Sequence, residues 1–181
     1  MTARDSVRPL LRTRQIREFT DEPVSDEMLA ALADVGRWSG SSSNNQPWRF
    51  VVIRDEQVLR RLAEIGVPQT WPFQSASAGI AIVLTDEAKR EVPDAYDDGR
   101  AAERMMIAAT MLELGAAITW IRRDIRAEVN ELLGLPPDRF VRTVMAFGHP
   151  TESARRPKSA PGEARLPRDQ TVFEDRWPAR S

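Results

Sequence analysis

Residues 38–48 read WSGSSSNNQPW, six small polar residues from Ser41 to Gln46 closed by Pro47 and Trp48. An amphipathic segment precedes the stretch, and the apolar run Phe50-Val51-Val52-Ile53 follows it. A connector between a helix and a strand can be short and chemically plain. This one concentrates hydroxyls and amides and then rigidifies its exit. Taken alone, it reads either as a solvated loop or as a site for something that wants many hydrogen bonds.

Working outward, Ser25 is a good helix N-cap, and Asp26 and Glu27 suit the positive end of the helix dipole. Met28, Leu29, Leu32, Val35 and Gly36 then fall on one helical face. Residues 48–53 read as a strand. Asp55 caps a second helix that carries Val58, Leu59, Leu62 and Ile65 inward and ends at Gly66. The run GIAIVL, residues 79–84, is apolar without alternation, which predicts a strand buried on both faces. Asp97 or Asp98 is the expected cap of a long central helix that stops at Gly115. A short extended piece follows at residues 116–121. Asp124 is read as the cap of a helix ending at Gly134, and residues 140–147 as a strand. From Gly148 onward the chain is rich in Pro, Arg and Ser, with few apolar anchors besides Leu166, Val172, Phe173 and Trp177. We read residues 1–150 as one domain and residues 151–181 as an extended arm of it. Interleaved helices and strands imply an α+β or α/β fold, one layer of sheet with helices packed on it.

The composition narrows function by exclusion. The chain has 181 residues, 41% hydrophobic and 29% charged, with a formal net charge of -1. That balance favours neither nucleic acid nor an anionic membrane as partner. No apolar run approaches the length of a membrane span, and the opening residues lack the apolar core of a signal peptide, so a cytoplasmic protein is the expectation. With no cysteine, disulfides, thiolate catalysis and Cys-ligated metals are excluded. The single histidine, His149, has no second ligand at metal spacing. There is neither a phosphate-binding GxxxxGK loop nor a GxGxxG motif after a strand, which argues against a Rossmann nucleotide site.

A chain with so few reactive side chains can still be an enzyme if a cofactor carries the chemistry. It offers an arginine cluster (Arg12, Arg14, Arg17), the Ser/Asn loop, and further arginines in the tail. Guanidinium forks suit a phosphate, while short hydroxyls, amides and backbone donors suit a polyhydroxyl chain and a heteroaromatic edge. Flavin mononucleotide (FMN) has all three parts.

The segment TRQIREFTDEPVSDEMLAALADVGRWSGSSSNNQPWRFVVIRD, residues 13–55, resembles the opening of the nitroreductase family of FMN-dependent oxidoreductases. That family's pattern runs R-R-S-x-R-x-F, P-V, a helix, then P-S-S-x-N-x-Q-P-W and a strand. GRAAERMMIAATMLELGAAITWI, FGHP and ARLP resemble its central helix, its closing turn and its tail arginine. The resemblance spans residues 12 to about 170. It implies a three-layer α/β/α fold with a central mixed, mostly antiparallel sheet. It also implies a homodimer with FMN at the subunit interface, and electron transfer from NADH or NADPH to a nitroaromatic, quinone or similar small acceptor. By resemblance, Arg14, Gln15 and Arg17 line the ribityl-phosphate and pyrimidine end of the flavin, and Arg165 meets the phosphate. Ser41, Ser42 and Asn44 reach the flavin from the neighbouring subunit, and Trp120, Ile121 and Arg122 lie along the ring. The chain departs from the pattern at Thr13, Gln15, Gly40 and Arg122. A flavin-binding or flavin-consuming protein of the same fold, with a specialised reaction or a storage role, is the alternative.

Overall fold

The computed structural model describes residues 2–159 and 165–177. Seven α-helices are present among them: α1 (Ala3–Ser6), α2 (Arg8–Arg12), α3 (Asp26–Arg37), α4 (Glu56–Ile65), α5 (Glu91–Met111), α6 (Arg126–Leu132) and α7 (Glu152–Arg155). Four strands, β1 (Arg49–Ile53), β2 (Ala78–Thr85), β3 (Gly115–Trp120) and β4 (Arg139–Gly148), form one sheet in the order β1-β2-β4-β3. The family resemblance implies a mixed, mostly antiparallel sheet. All three pairings are antiparallel, so no parallel pair occurs among the described residues.

β2 and β4 occupy the middle, and their consecutive apolar residues are buried on both sides. One face carries Leu29 and Leu32 of α3 and Ala102, Met105 and Ala109 of α5 against Ile80, Ile82, Met145 and Phe147. The other carries Leu59 and Leu62 of α4, Phe73 and Val129 of α6 against Ala81, Val83, Val141 and Val144. Helices thus cover both faces, and the architecture is the three-layer α/β/α arrangement. Phe73 is fully buried, so the segment Trp71–Gln74 is a packed turn that belongs to the core. Among the described residues, no helix is long and apolar enough to cross a membrane, and no group of His, Asp or Glu is arranged to hold a metal ion.

Local chemistry accounts for most element boundaries. Ser25 Oγ accepts from Met28 N–H at 3.2 Å, and Asp55 Oδ1 accepts from Gln57 and Val58 N–H at 2.8 and 3.3 Å. These side chains cap α3 and α4 as the sequence predicts. The central helix is where the sequence reading fails. α5 starts at Glu91, ahead of both proposed caps, and Pro93 falls in its first turn, where a proline N–H is not needed. Asp97 and Asp98 are interior residues of this helix and are buried. Its C-terminal end is turned by Glu113 at φ 59°, while Gly115 opens β3. Asp124 does not cap α6; its carboxylate pairs with Arg122.

The glycines at 115 and 148 have a packing role. They face each other across β3 and β4. A Cβ at Gly115 would lie 2.6 Å from Ile16 Cγ2, and one at Gly148 would lie 2.7 Å from Phe19 Cβ. Their bare backbone lets residues 16–19 lie directly on the sheet end. Phe19 pairs with Pro150 in an isolated antiparallel bridge, Thr20 N–H donates to His149 O at 2.8 Å, and Thr151 N–H donates to Glu18 O at 3.2 Å. The N-terminal segment and the start of the C-terminal arm are therefore laced to one another at one end of the sheet. Parts of that arm, residues 160–164 and 178–181, lie outside the described residues.

Candidate functional site

The lacing opens a cavity of about 650 Å³ beside the edge strand β3. Thr13 to Glu18 form one wall, Glu103 and Met106 of α5 a second, and Ser153, Ala154, Lys158 and Arg165 of the arm a third. Four cationic side chains (Arg14, Arg17, Lys158, Arg165) line this space with two carboxylates (Glu18, Glu103), which leaves it net positive. Its size falls within the roughly 300–1,000 Å³ typical of small-molecule sites.

Gln15, Ile16 and Arg14 are held by specific hydrogen bonds. Ile16 N–H donates to Ala116 O at 2.8 Å, and Ile118 N–H donates to Gln15 Oε1 at 3.1 Å. Residues 15 and 16 thus satisfy part of the open edge of β3, which would otherwise present bare backbone groups. Arg14 Nη2 donates to Ala154 O at 2.7 Å and to Arg155 O at 2.6 Å, placing a cation on the last carbonyls of α7. Arg17 is exposed on the cavity side. Arg14, Gln15, Arg17 and Arg165, which the sequence singled out, are thus brought together around one cavity.

The Ser/Asn loop stands elsewhere on α5. Ser42 N–H donates to Asp97 at 2.9 Å (Oδ2) and 3.2 Å (Oδ1), six residues or roughly 9 Å along the helix axis from Glu103. Gln46 N–H donates to Ser41 Oγ at 2.9 Å, and the Gln46 side-chain amide donates to Asn44 Oδ1 at 3.3 Å. Ser43, Asn44 and Gln46 all have positive φ, at 51°, 54° and 48°. Each such residue costs of order 1–3 kcal/mol, a strain that persists only where surrounding structure enforces it. Buried Trp48 and Pro47 close the loop onto β1. Within one protomer, Ser41, Ser42 and Asn44 do not line the cavity.

The third predicted group sits at the far end of β3. Trp120, 54% exposed, lies two residues and roughly 7 Å beyond the Ile118 amide that Gln15 holds. Ile121 is fully buried in the core, and its N–H donates to Arg142 O at 2.7 Å. Arg122 grips Asp124 through two bonds, at 3.1 and 3.0 Å, and reaches Val67 O at 3.0 Å. That pairing raises the Arg122 pKa and lowers that of Asp124, through the side-chain hydrogen bond first. Its guanidinium is engaged with the turn at residues 67–69.

Three cavity residues have no sequence signal of their own. Lys158 appears only as one of two lysines, and Glu103 and Ser153 as ordinary polar positions. Each reaches the cavity through long-range folding; Arg14 and Ala154, for example, are 140 positions apart in the chain.

Comparison with known proteins bears on this geometry. The nitroreductase family model matches residues 10–77, which include both the arginine segment and the Ser/Asn loop. A protein of Archaeoglobus fulgidus named "Putative NADH dehydrogenase/NAD(P)H nitroreductase" is 30% identical over 146 residues, covering 77% of this chain and 82% of its own length. The structure of NADPH:FMN oxidoreductase from Vibrio harveyi complexed with NAD+ superposes with a TM-score of 0.81 at 26% identity, over 98% of this chain and 80% of that one. That of a "putative nitroreductase in complex with fmn" from Desulfovibrio desulfuricans does so with a TM-score of 0.78 at 31% identity, over 98% and 100%. The fold, the matched segments and a relative of this identity and coverage together show that the chain belongs to the nitroreductase family.

Proposed function

We propose that this protein is an NAD(P)H-dependent FMN oxidoreductase that works as a homodimer and reduces a nitroaromatic, a quinone or a similar small acceptor. The observation that carries the reading is the net-positive cavity beside β3, where Arg14, Arg17, Lys158 and Arg165 converge with the Gln15 amide. That donor set fits FMN: guanidinium and ammonium groups for the phosphate, and an amide with strand-edge backbone for the ribityl chain and pyrimidine. In this reading Arg14, Lys158 and Arg165 hold the phosphate, Gln15 and Arg17 the pyrimidine end, and Trp120 to Arg122 flank the ring. Ser41, Ser42 and Asn44 complete the site from the second copy. Residues 1–150 are the body of the flavin-binding domain; the arm at 151–181 adds Lys158 and Arg165 to its cavity, and the exposed stretch at residues 166–177 wraps the partner. All described residues of the arm from Arg165 to Trp177 are exposed, and Phe173 and Trp177 meet edge to face, with ring centroids 4.8 Å apart, in keeping with an arm that awaits a second surface.

When bound, FMN supplies the two-electron relay between nicotinamide and acceptor that no side chain here can provide. The chain's own residues bind and orient. Arg17 would present positive charge to the pyrimidine edge, and one flavin face shared by both substrates would admit one at a time. Initial-rate lines with varied NADPH and quinone are therefore expected to be parallel, the ping-pong pattern; intersecting lines would mean that both substrates bind together. Arg17→Ala is expected to slow the bleaching of bound flavin by NADPH by roughly tenfold or more.

Phosphate recognition has its own test. Arg165→Ala and Arg14→Ala are each expected to weaken FMN about 10- to 100-fold, the loss of one charge-assisted contact of roughly 1.5–3 kcal/mol. Riboflavin, which lacks the phosphate, should lose only a few-fold. Equal losses for the two ligands, measured by fluorescence titration, would remove these arginines from the phosphate.

A further inference from the structure

The loop at residues 41–46 is strained, yet its shape is enforced by a side chain that the sequence hides. Asp97 belongs to the middle of α5 and is 1% exposed. A carboxylate at that depth is costly unless its oxygens are satisfied. Both of its oxygens accept from the backbone N–H of Ser42, at 2.9 and 3.2 Å, and Arg100 Nη1 approaches Oδ1 at 3.4 Å. Arg100 in turn lies against the loop. A Cβ at Gly40 would meet the tip of its guanidinium, so the Arg100 side chain lies directly over the entry to the loop.

Ser42 opens the turn that carries Ser43 and Asn44 in the left-handed region, a conformation that non-glycine residues adopt in only a few per cent of cases. Backbone bonds inside the loop run from Asn44 N–H to Ser41 O and from Asn45 N–H to Ser42 O, both at 3.1 Å. These close the turn without fixing its position on the protein. Asp97 is the contact that ties the front of the turn to the rigid central helix, as Trp48 ties its back to β1. The neighbouring buried aspartates are spent differently: Asp94 pairs with Arg90 at 2.7 Å, and Asp98 accepts from Thr143 Oγ1 at 2.7 Å.

We infer that Asp97 is a positioning residue for flavin binding: its buried carboxylate holds Ser41, Ser42 and Asn44 in the conformation that receives the cofactor. The inference rests on the proposed FMN site and assigns the loop's geometry to one residue outside it. Because Asp97 acts on the loop and not on the phosphate, its loss should weaken FMN and riboflavin by the same factor, unlike the losses expected at Arg14 and Arg165.

The test uses the full-length protein, with FMN and riboflavin titrations and thermal unfolding for Asp97→Ala, Asp97→Asn and, as a control on the same helix, Asp98→Asn. Asp97→Ala is expected to weaken both flavins at least tenfold. Asp97→Asn keeps one acceptor oxygen and should recover only part of that loss, leaving both flavins two- to tenfold weaker than in wild type. Asp98→Asn should shift thermal stability while leaving flavin affinity within twofold of wild type. Amide exchange at Ser42 should accelerate in Asp97→Ala without added flavin. If Asp97→Ala does not fold, Asp97→Asn decides: a two- to tenfold loss for both flavins with faster Ser42 exchange supports the inference, and wild-type affinity overturns it. Flavin affinity unchanged in a folded Asp97→Ala overturns the inference and leaves the FMN reading standing. A wild-type protein that takes up no FMN overturns both.

Discussion

Phe19→Ala is expected to lower the unfolding free energy by about 3–5 kcal/mol, the usual range for emptying a buried phenylalanine site. In a chain of this length that corresponds to a fall in Tm of roughly 10 °C or more. Phe19 is 5% exposed and lies over the facing backbones of Gly115 and Gly148, which cannot move in to fill the space it leaves. Its N–H donates to Ser75 Oγ at 3.2 Å, and its bridge to Pro150 joins the two termini of the domain. Arg14, Gln15 and Arg17 are carried on this same short segment. The substitution should therefore weaken FMN as well as the fold, whereas Phe19→Leu should keep most of both. A Tm within about 3 °C of wild type would mean that the N-terminal segment is held by its backbone bonds alone.

The second large effect is in pH dependence. Burial pushes the Asp98 carboxyl up to about 6, from an ordinary 3.8, against the weaker opposing pull of the Thr143 hydroxyl and the charges of Arg142 and Arg126. One oxygen of this carboxylate has no hydrogen-bond partner among the described residues. Between pH 4 and 6 the folded chain holds a proton at Asp98 that the unfolded chain has released. Stability from this group is therefore fully present below pH 4 and is lost as pH rises through 6, by about 3 kcal/mol in total. Asp98→Asn keeps an oxygen to accept from Thr143 and carries no charge at any pH. At pH 8 it is expected to be more stable than wild type by up to about 3 kcal/mol, and near pH 4 the two should converge. Thermal unfolding at the two pH values measures the difference. A variant less stable at pH 8 would show that the ionised carboxylate is favoured by its arginine neighbours.

The sequence shows the scaffold more fully than the site, for physical reasons. Caps act locally, so Ser25 and Asp55 mark their helices in one dimension. Continuous apolar runs identify β2 as a strand covered on both faces. The polar loop stands out because Gln46-Pro47-Trp48 closes it, and Arg14, Gln15, Arg17 and Arg165 follow from the family pattern. The burial of the aspartates of α5 is not legible in the sequence, for the reason that makes them interesting. Aspartate in a helical context normally caps, and nothing in the local sequence says that Asp97 and Asp98 find partners at Ser42 and Thr143, more than forty residues away in either direction. Gly115 was read as the end of a helix because helix ends favour glycine, whereas here it makes room for Ile16. Lys158 and Ser153 enter the cavity because β4 returns the chain to the N-terminal segment, and Glu103 because α5 packs beside that segment, long-range events with no local signature.

Whether this cavity binds FMN and uses it to pass electrons from a nicotinamide is decided by one anaerobic titration. The purified protein is mixed with FMN, freed of excess by gel filtration, and titrated with NADPH and separately with NADH while the visible flavin absorbance is followed. The expected result is retained yellow colour, complete bleaching by at least one of the two nicotinamides at one equivalent per site, and full recovery of colour on adding a quinone. A protein that emerges colourless, or one that holds FMN which neither nicotinamide bleaches, would contradict it.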